Sequence, residues 1–281
     1  SRGLGDVYKR QFYYQFQTPK VTAAAGIFTR DMMHDDDYST AFFSESERFF
    51  HNRMNGVLAQ YNGKRDSYVE FVCDWEGMYS TLSREKFRIL LAGRHYLDTF
   101  YYGFNYSMFH YAGQQGAPIE NVVDLQLLTP CVGVRFNAFF DFDIKLGALL
   151  TAQRDRSFGH SWEKPCMGEF AFRISRWGLS LDERLYVGDN IHPFFYGHEL
   201  EDGTPLPYGR ELYPAESFFR TDQKVYSRTA LSYRRSFFDD TVSVRAEFAA
   251  HHDGTALGTQ QMLVVGVKLL KTVYNSKNHK K

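Results

Sequence analysis

The chain has no continuous apolar run approaching the roughly 18 residues of a membrane-spanning helix. It also has no net charge, because 33 basic residues are balanced by 33 acidic ones. Neither nucleic acid nor an anionic membrane surface is therefore an expected partner. The length of 281 residues suits one large all-β domain. If this protein resides in a membrane, it crosses the membrane with strands.

Cysteine is scarce, with Cys73, Cys131 and Cys166 at wide and unrelated spacings. They form neither a disulfide framework nor a metal-binding pattern, so we interpret them as small apolar fillers on strand faces. Glycine-rich phosphate loops, HExxH and CxxC pairs are also absent. We therefore expect no cofactor, no metal and no enzymatic activity.

Two groups of residues are the nearest candidates for catalysis. They are His251-His252-Asp253 with a serine such as Ser243, and His110 near Ser107. Nucleophilic catalysis requires a nucleophile, a base and an orienting group within hydrogen-bond reach, and no nucleophile motif supports either group. An outer-membrane lipid hydrolase is accordingly the weakest of the functional alternatives.

The beginning of the chain lacks the secretory signal peptide that an outer-membrane protein carries at synthesis. Residues 1–11, SRGLGDVYKRQ, resemble translated sequencing-adapter read-through, so we predict that they are non-native and that the true N-terminus is missing. The folded domain is predicted over residues 12–274, incomplete at its N-terminus, and a basic tail over residues 275–281.

Aromatic residues are abundant, at 17% of the chain, and the hydrophobic pattern has a period of two. Over residues 140–153 the even positions carry Phe, Ile, Leu and Ala, whereas most odd positions carry Asp, Lys, Gly, Thr or Gln. A transmembrane strand needs only about nine to eleven residues. This segment therefore predicts a strand with one side facing lipid and one facing water. Aromatic residues at predicted strand ends are typical of membrane-interface girdles, with the core of a soluble protein as the alternative.

The same alternation predicts about thirteen strands in an all-β, antiparallel up-and-down transmembrane β-barrel. Besides residues 140–153, the strands are predicted at 12–17, 21–29, 54–61, 67–75, 87–96, 101–111, 122–136, 167–176, 177–187, 225–234, 242–248 and 261–270. The pattern changes phase at Thr129-Pro130, which predicts a bulge or kink because proline cannot donate to a ladder.

The lengths of the connections alternate. Short connections are predicted at 18–20, 62–66, 97–99, 137–139, 175–178 and 236–240, and longer ones at 30–52, 76–86, 113–121, 155–165, 188–222 and 252–259. Outer-membrane barrels have short periplasmic turns and longer extracellular loops, so this rhythm predicts a bacterial outer-membrane location and a periplasmic C-terminus. Since single-chain bacterial barrels have an even number of strands, we expect an odd number to be missing upstream and a total of about fourteen or more.

These features resemble the porin-like outer-membrane β-barrels, especially the aromatic-rich barrels of Bacteroidetes-type bacteria. The resemblance spans residues 12–270 and includes YVEFVCDWEGMYS at 68–80 and YVGDNIHPFFYG at 186–197. It implies a fold and a location but no substrate. One departure is that the chain continues past Tyr274 to NSKNHKK, whereas members of the superfamily usually end on an aromatic residue that the outer-membrane assembly machinery recognises.

Charged residues fall on the polar faces of the predicted strands and would line the lumen. They are Glu70, Asp74, Arg88, Arg94, Asp141, Asp143, Lys145, Glu169, Arg173, Asp182, Arg184, Arg228, Arg234, Arg245 and Glu247. Seven acids and eight bases predict cross-strand ion pairs. Such pairs fit either a charged constriction that selects solutes or a structural lattice that fills a narrow barrel. Glu183 falls on an apolar face, so it is expected near a membrane interface.

Two connections differ in composition from the others, one by its prolines and one by its acidic residues. Residues 188–222 hold four of the eight prolines and are predicted to form an extracellular loop that folds over or into the barrel mouth, with a plain surface loop as the alternative. The acidic run DMMHDDD at 31–37 offers oxygen ligands for a divalent cation, although a solvated loop is the favoured interpretation.

The function expected from these patterns is a pore or solute-uptake channel with a polar lumen of mixed charge. The main alternative is a closed barrel that serves as an adhesin, receptor or structural protein through its long extracellular loops. Expected partners are outer-membrane lipids, small solutes and, during biogenesis, the assembly machinery. The sequence indicates neither the solute nor the oligomeric state.

Overall fold

A computed structural model describes residues 12–34, 37–116, 122–156, 161–191, 215–221, 223–239 and 241–267 of this protein. Thirteen strands form one sheet in which each strand pairs antiparallel with the next along the chain. The strands are β1 (Phe12–Gln17), β2 (Val21–Thr29), β3 (Arg53–Asn62), β4 (Tyr68–Gly77), β5 (Lys86–Leu97), β6 (Phe100–Tyr111), β7 (Val123–Asn137), β8 (Asp141–Asp155), β9 (Cys166–Arg176), β10 (Leu179–Gly188), β11 (Val225–Phe237), β12 (Val242–His252) and β13 (Leu257–Val267). The predicted all-β, antiparallel up-and-down fold with about thirteen strands is confirmed. The predicted adapter segment, 1–11, and basic tail, 275–281, lie outside the described residues.

The sheet is curved around the long β2–β3 connection. Four residues of this connection, Asp37, Tyr38, Thr40 and Glu45, contact side chains of β5, β4, β10 and β11, respectively. We call the face of the sheet that they contact the inner face. β1 and β13 are the two edges of the sheet, and no ladder joins them within the described ranges.

The alternation along β8 shows how the sequence determines the two faces. Leu149, Thr151 and Gln153 are buried on the inner face, whereas Leu146 and Leu150 are 57% and 42% exposed on the outer face. Because side chains of a strand point alternately to opposite faces, the even positions that were predicted to face lipid all lie on the outer face. The two faces predicted for this strand are therefore correct.

The short and long connections lie at opposite ends of the strands, as predicted. The short links are 18–20, 63–67, 98–99, 138–140, 177–178 and 238–241, and the links at the other end are 30–52, 78–85, 112–122, 156–165, 189–224 and 253–256. The last of these spans only four residues, which is within the two to five residues of the short links. The prediction of a longer connection at 252–259 is therefore wrong, because β12 and β13 extend further than their hydrophobic pattern.

The tight links use backbone conformations suited to twisted hairpins. Trp177 and Gly178 both have positive φ, 55° and 82°, as in a two-residue loop of type I′. A side chain at Gly178 would clash with the carbonyl oxygen of Arg234. In the β12–β13 link, the Asp253 carboxylate accepts hydrogen bonds from the backbone N–H groups of Ala256 and Thr255, which lowers its pKa to about 2.

The predicted bulge at Thr129-Pro130 is not present. Leu128 pairs with Leu150 and Cys131 with Gly147, so the β7–β8 register is the same on both sides of the proline. Val123, Leu125, Leu127, Thr129 and Cys131 are all buried, which is one continuous inner face. The apolar residues of β7 lie on the inner face in its first half and on the outer face in its second half. This change of face looked like a change of phase in the sequence.

The long β2–β3 connection fills part of the space enclosed by the sheet. We call residues 30–34 and 37–52 the inserted segment. It begins with a 3₁₀ turn at Arg30–Met32 and ends with the short helix α1 (Glu45–Phe50), which is capped by the Ser44 hydroxyl accepting from the Glu47 N–H. Tyr38 and Phe43 are fully buried and belong to the hydrophobic core, so the core lies inside the curved sheet.

The outer face is strongly apolar. Exposed large side chains on it include Phe104, Val132, Leu146, Leu181, Leu231, Phe248 and Leu263. Aromatic rings gather at its short-link end, where Phe139 packs edge-on against Trp177 and Arg176 lies 3.8 Å from the Phe139 ring centre. Soluble monomers rarely expose apolar patches larger than a few hundred Å². No helix in the described part of the chain is long and apolar enough to cross a membrane.

Candidate solute-binding lumen

All fifteen predicted lumen residues lie on the inner face. The strand phases place Glu70 and Asp74 on β4, Arg88 and Arg94 on β5, Asp141, Asp143 and Lys145 on β8, Glu169 and Arg173 on β9, Asp182 and Arg184 on β10, Arg228 and Arg234 on β11, and Arg245 and Glu247 on β12. Glu70, Arg88, Arg94, Glu169 and Arg228 are buried there. Sequence phase therefore identifies the residues of the inner face, but it does not identify their partners.

Glu70 is the centre of a hydrogen-bond cluster between the wall and the inserted segment. Its carboxylate accepts hydrogen bonds from the backbone N–H of His34 at 2.9 Å, from the Tyr38 hydroxyl at 3.1 Å and from the Gln60 amide at 2.6 Å. Gln60 donates a further bond to the carbonyl oxygen of Met32. A fully buried carboxylate is tolerated only when its oxygens are satisfied in this way.

Arg94 is bound by the acidic run of the inserted segment. Its guanidinium lies 2.6 Å from the Asp37 carboxylate, which also accepts a 2.6 Å hydrogen bond from the Tyr68 hydroxyl. The ring of Tyr68 stacks on His34 at 3.7 Å between centroids. The interpretation of this run as a solvated loop is wrong for His34 and Asp37, which are inside the curved sheet. Asp35 and Asp36 lie outside the described residues.

An arginine-aromatic cluster occupies the long-link end. Phe43 of the inserted segment lies between Arg30 and Arg88, with guanidinium carbons 4.0 and 5.3 Å from the ring centre. Arg88 also pairs with Glu76 at 3.1 Å. Nearby, the Asp74 carboxylate accepts the Asn55 backbone N–H at 2.7 Å. Phe43 and Arg30 therefore pack the inserted segment against Arg88 of β5.

The opposite wall carries the predicted cross-strand ion pairs. Lys145 pairs with Glu169 at 3.1 Å, Arg173 with Asp182 at 3.2 Å, and Arg228 with Glu247 at 2.6 Å. Three further predicted residues pair more locally: Arg245 binds Glu247, Asp143 binds Arg135, and Asp141 accepts from Asn137. Most of the predicted charges along β8 to β12 are therefore paired, whereas no ion pair of Arg184 or Arg234 is seen among the described residues.

A cavity of about 960 Å³ lies between the inserted segment and strands β11 to β13. Arg234, Ser243 and Gly266 line it near the short links, and Asp31 and Asn52 line it beside the long-link ends of β2 and β3. Its volume is in the range of pockets for small molecules. The lining therefore combines residues of the inserted segment with the short-link halves of β11 to β13.

A second cavity of about 250 Å³ adjoins the first at the short-link end. The two cavities share the lining residues Glu45, Arg48, Arg234 and Arg245. The second is lined mainly by charged side chains of β9 to β12, including Arg173, Asp182, Arg184 and Arg228. Charged side chains therefore predominate in the lining of the second cavity.

The connection at 188–222 contributes to the long-link end, and its residues 192–214 and 222 lie outside the described ranges. Ile191, Phe218 and Phe219 are buried. Phe218 stacks on Tyr226 at 4.4 Å, and Phe219 packs edge-on against Tyr186 at 5.2 Å. The two described ends of this connection therefore pack inward against β10 and β11. The predicted placement of the rest of the loop over or into the mouth lies outside the described residues.

The structure does not bring the catalytic candidates together. Ser243 and His251 are eight residues apart on β12, which corresponds to about 26 Å along a strand. His251 instead bonds the Tyr226 hydroxyl at 2.5 Å. Ser107 is on the inner face and His110 on the outer face of β6, where His110 contacts Asp124. Neither group has the geometry of a nucleophile with its base.

Glu183 lies on the outer face, as its position in the sequence predicted, but in the middle of β10. Its carboxylate accepts hydrogen bonds from the hydroxyls of Ser227 and Thr229 on β11. These two hydroxyls provide the carboxylate with local partners that the sequence pattern did not reveal.

No family model, curated protein or solved structure matches this chain. Inferences about function therefore depend on the geometry of the lumen and on the character of the two faces.

Proposed function

We propose that this protein is an outer-membrane channel that admits small water-borne solutes along the inserted segment. The observation that carries this proposal is the cavity of about 960 Å³, whose lining includes residues near both ends of the strands and is polar or charged at ten of its fifteen residues. A wet interior enclosed by an apolar exterior is the arrangement of a transmembrane pore.

The outer face supports placement in a bilayer. Strands β7 and β8 have 15 residues each, and β2 to β13 have at least nine, which is enough to cross the hydrocarbon layer. Outer-membrane lipids are thus proposed to cover the outer face, and the assembly machinery to insert the chain. Lipid offers no hydrogen-bond partners to backbone groups. The outward edges of β1 and β13 must therefore also be hydrogen-bonded within the functional protein.

A closed barrel that acts through its loops is the second candidate. The observation in its favour is the inserted segment, which is held by the buried groups Glu70, Arg94 and Tyr186 on three different strands. A segment fixed this firmly would fill the lumen and leave recognition of a partner to the long connections. The two candidates therefore differ in whether ions pass beside the segment.

Single-channel recording in a planar bilayer separates them. The full chain should give steady ion conductance, and Arg234→Trp, which adds bulk where the two cavities meet, should reduce it. Arg235→Trp is the matched control because Arg235 is the next residue and lies on the outer face, so its conductance should equal that of the original chain. Inserted protein that carries no current would contradict the channel and favour the closed barrel.

A further inference from the structure

A groove of about 610 Å³ lies on the outer face of β3 to β6, toward the short-link ends of these strands. Four of its lining residues pair in register and form one row across the strands: Tyr61, Val69, Gly93 and Phe104. The exposed rings of Tyr61 and Phe104 stand at the two sides of this row. Between them, Val69 has a small side chain and Gly93 has none. The groove therefore follows β4 and β5 between two aromatic walls.

Gly93 keeps the groove open. A Cβ atom added at this position would lie 3.3 Å from the edge of the Phe104 ring and 3.7 Å from a methyl group of Val69, so a larger side chain would occupy the space between them. Gly93 is four residues from the end of β5 at Leu97, which is about 13 Å along the strand. The groove therefore extends from the short-link end toward the middle of the strands.

The lining becomes amphipathic nearer the short links. One row closer to them, His95 and Tyr102 pair across β5 and β6, and their ring centroids are 5.5 Å apart. Both side chains are exposed on the outer face. Because rings with a polar tip settle at the level of lipid headgroups, this row marks the depth of the interface. The row of Gly93 is two residues deeper and lies beside the acyl chains.

Two cations lie at the short-link end of the groove. Lys64 and Arg65 of the β3–β4 link line it, are exposed, and form no side-chain hydrogen bond or ion pair with another described residue. The acids of this link and of the neighbouring β5–β6 link, Asp66 and Asp98, do not line the groove. Arg94, which also contributes to the lining, is paired on the inner face. The groove is therefore apolar along its length and positively charged at its end.

We propose that this groove binds one anionic phospholipid, with an acyl chain against Val69 and Gly93 and the phosphate at Lys64 and Arg65. The acyl chain matches the apolar walls, and the phosphate oxygens accept hydrogen bonds from the ammonium and guanidinium groups. The unpaired edges of the sheet are β1 and β13, so a strand that pairs with either edge would leave the groove uncovered. This inference goes beyond the channel function, because it requires an outer face in contact with lipid but does not depend on ions passing through the lumen.

Native mass spectrometry of the detergent-solubilised full chain counts bound lipids and tests the site. The original chain should bind its first dioleoylphosphatidylglycerol about tenfold more tightly than dioleoylphosphatidylcholine, which has the same acyl chains but no net charge, the effect of one charged hydrogen bond. Lys64→Gln combined with Arg65→Gln should abolish this preference. Gly93→Val should weaken the binding of both lipids, because the new side chain fills the groove.

Two variants are matched controls. Lys20→Gln combined with Arg235→Gln removes the same charge from other positions near the short links, so the preference should remain. Gly168→Val also adds a side chain to the outer face, where only the carbonyl oxygen of Val187 lies within 4 Å of the added Cβ, so lipid binding should be unchanged. If Gly93→Val fails to fold, the double glutamine variant of the β3–β4 link decides, since both replaced side chains are exposed.

Equal affinity of the original chain for the two lipids, or a preference that survives loss of Lys64 and Arg65, would overturn the site. Inorganic phosphate at the same concentration should leave the lipid bound, and displacement by phosphate would overturn the assignment to a lipid. Dimers that carry no lipid and dissociate on Gly93→Val would show that a second copy of the chain occupies the groove. Lipid preference in a protein that carries no current would support the site and overturn the channel, whereas current without lipid preference would overturn the site and leave the channel standing.

Discussion

Asp37 of the inserted segment and Arg94 of β5 form a 2.6 Å ion pair that joins the segment to the wall at the short-link end. The Arg94 side chain is 6% exposed and that of Asp37 is 21% exposed, so water screens the pair only weakly. The guanidinium also lies 4.9 Å from the centre of the Tyr101 ring. Together with the contacts of Glu70 and Tyr186, this pair holds the segment against the wall.

Asp37→Asn should release the segment and destabilise the protein. Removing one partner of a buried ion pair leaves the other charge uncompensated, which costs about 3–5 kcal/mol. Urea titration of the protein refolded in liposomes measures the free energy of unfolding, and single-channel recording should show larger or less steady current. Lys224→Gln is the control because it breaks a pair whose side chains are 74% and 63% exposed, worth about 0–1 kcal/mol. Equal effects of the two substitutions would contradict the structural role of Asp37.

Leu146→Arg should impair insertion into a bilayer. Leu146 is in the middle of β8 on the outer face and is 57% exposed, so the new charge would face acyl chains at a cost of about 2–4 kcal/mol. The measurement is the folded fraction after refolding into liposomes. Leu82→Arg is the control because Leu82 is 93% exposed in the β4–β5 connection, outside the apolar band. A folded fraction that is unchanged by Leu146→Arg would argue against contact between β8 and lipid.

Glu183→Gln should stabilise the protein in a bilayer. The amide removes a charge from the outer face and keeps two local partners, because its oxygen accepts from one of the Ser227 and Thr229 hydroxyls and its NH2 group donates to the other. We expect a gain of about 1 kcal/mol in the free energy of unfolding in liposomes, because an outward acid costs less than an outward base but is still unfavourable. Glu163→Gln, in the β8–β9 connection, should have no effect. A loss of stability on Glu183→Gln would indicate that the charged form is required, as at a contact with another protein.

Gly133→Ala should destabilise the protein by overpacking the inner face at β7. A side chain at Gly133 would clash with the ring of Tyr101 and with the carbonyl oxygen of Ile144. Tyr101 cannot easily withdraw, because its hydroxyl donates a 2.6 Å hydrogen bond to Asp143. Overpacking of this kind costs about 1–3 kcal/mol. Gly258→Ala is the matched control, since nothing lies within 4 Å of the added carbon there. Thermal unfolding should separate the two variants by several degrees, and coinciding transitions would contradict the close packing of Tyr101 on Gly133.

The strands and their faces were predictable because the period of a strand is two and a one-residue shift would reverse both faces. For that reason Arg184 and Arg234 were assigned to the correct face of the sheet although their neighbours were not known. The inserted segment was not predictable in the same way. Its residues have no regular period, and Tyr38 and Phe43 are buried by contacts with distant strands. The one available signal was apolar residues on the inner face, such as Leu125 and Leu127 on β7, which require an apolar partner inside the sheet.

Partners of the lumen charges were missed for a related reason. Cross-strand pairs such as Lys145 and Glu169 follow from strand register, whereas the pairs of Arg94 with Asp37 and of Arg228 with Glu45 depend on where a long connection folds. Alternation cannot determine the path of a connection. The charges of the wall were therefore identified before the structure, and the distribution of free and paired cations only after it.

The central claim is that the outer face contacts lipid and the inner face contacts water. Spin labels placed one at a time along residues 141–155, in a chain whose three cysteines are first replaced by serine, test it in liposomes. Collision rates with oxygen, which is enriched in acyl chains, should be high at Ile144, Leu146 and Leu150 and low at Lys145 and Gly147, with the reverse order for a polar nickel reagent. Equal oxygen accessibility on both faces, or no association of the labelled chains with liposomes, would contradict the account.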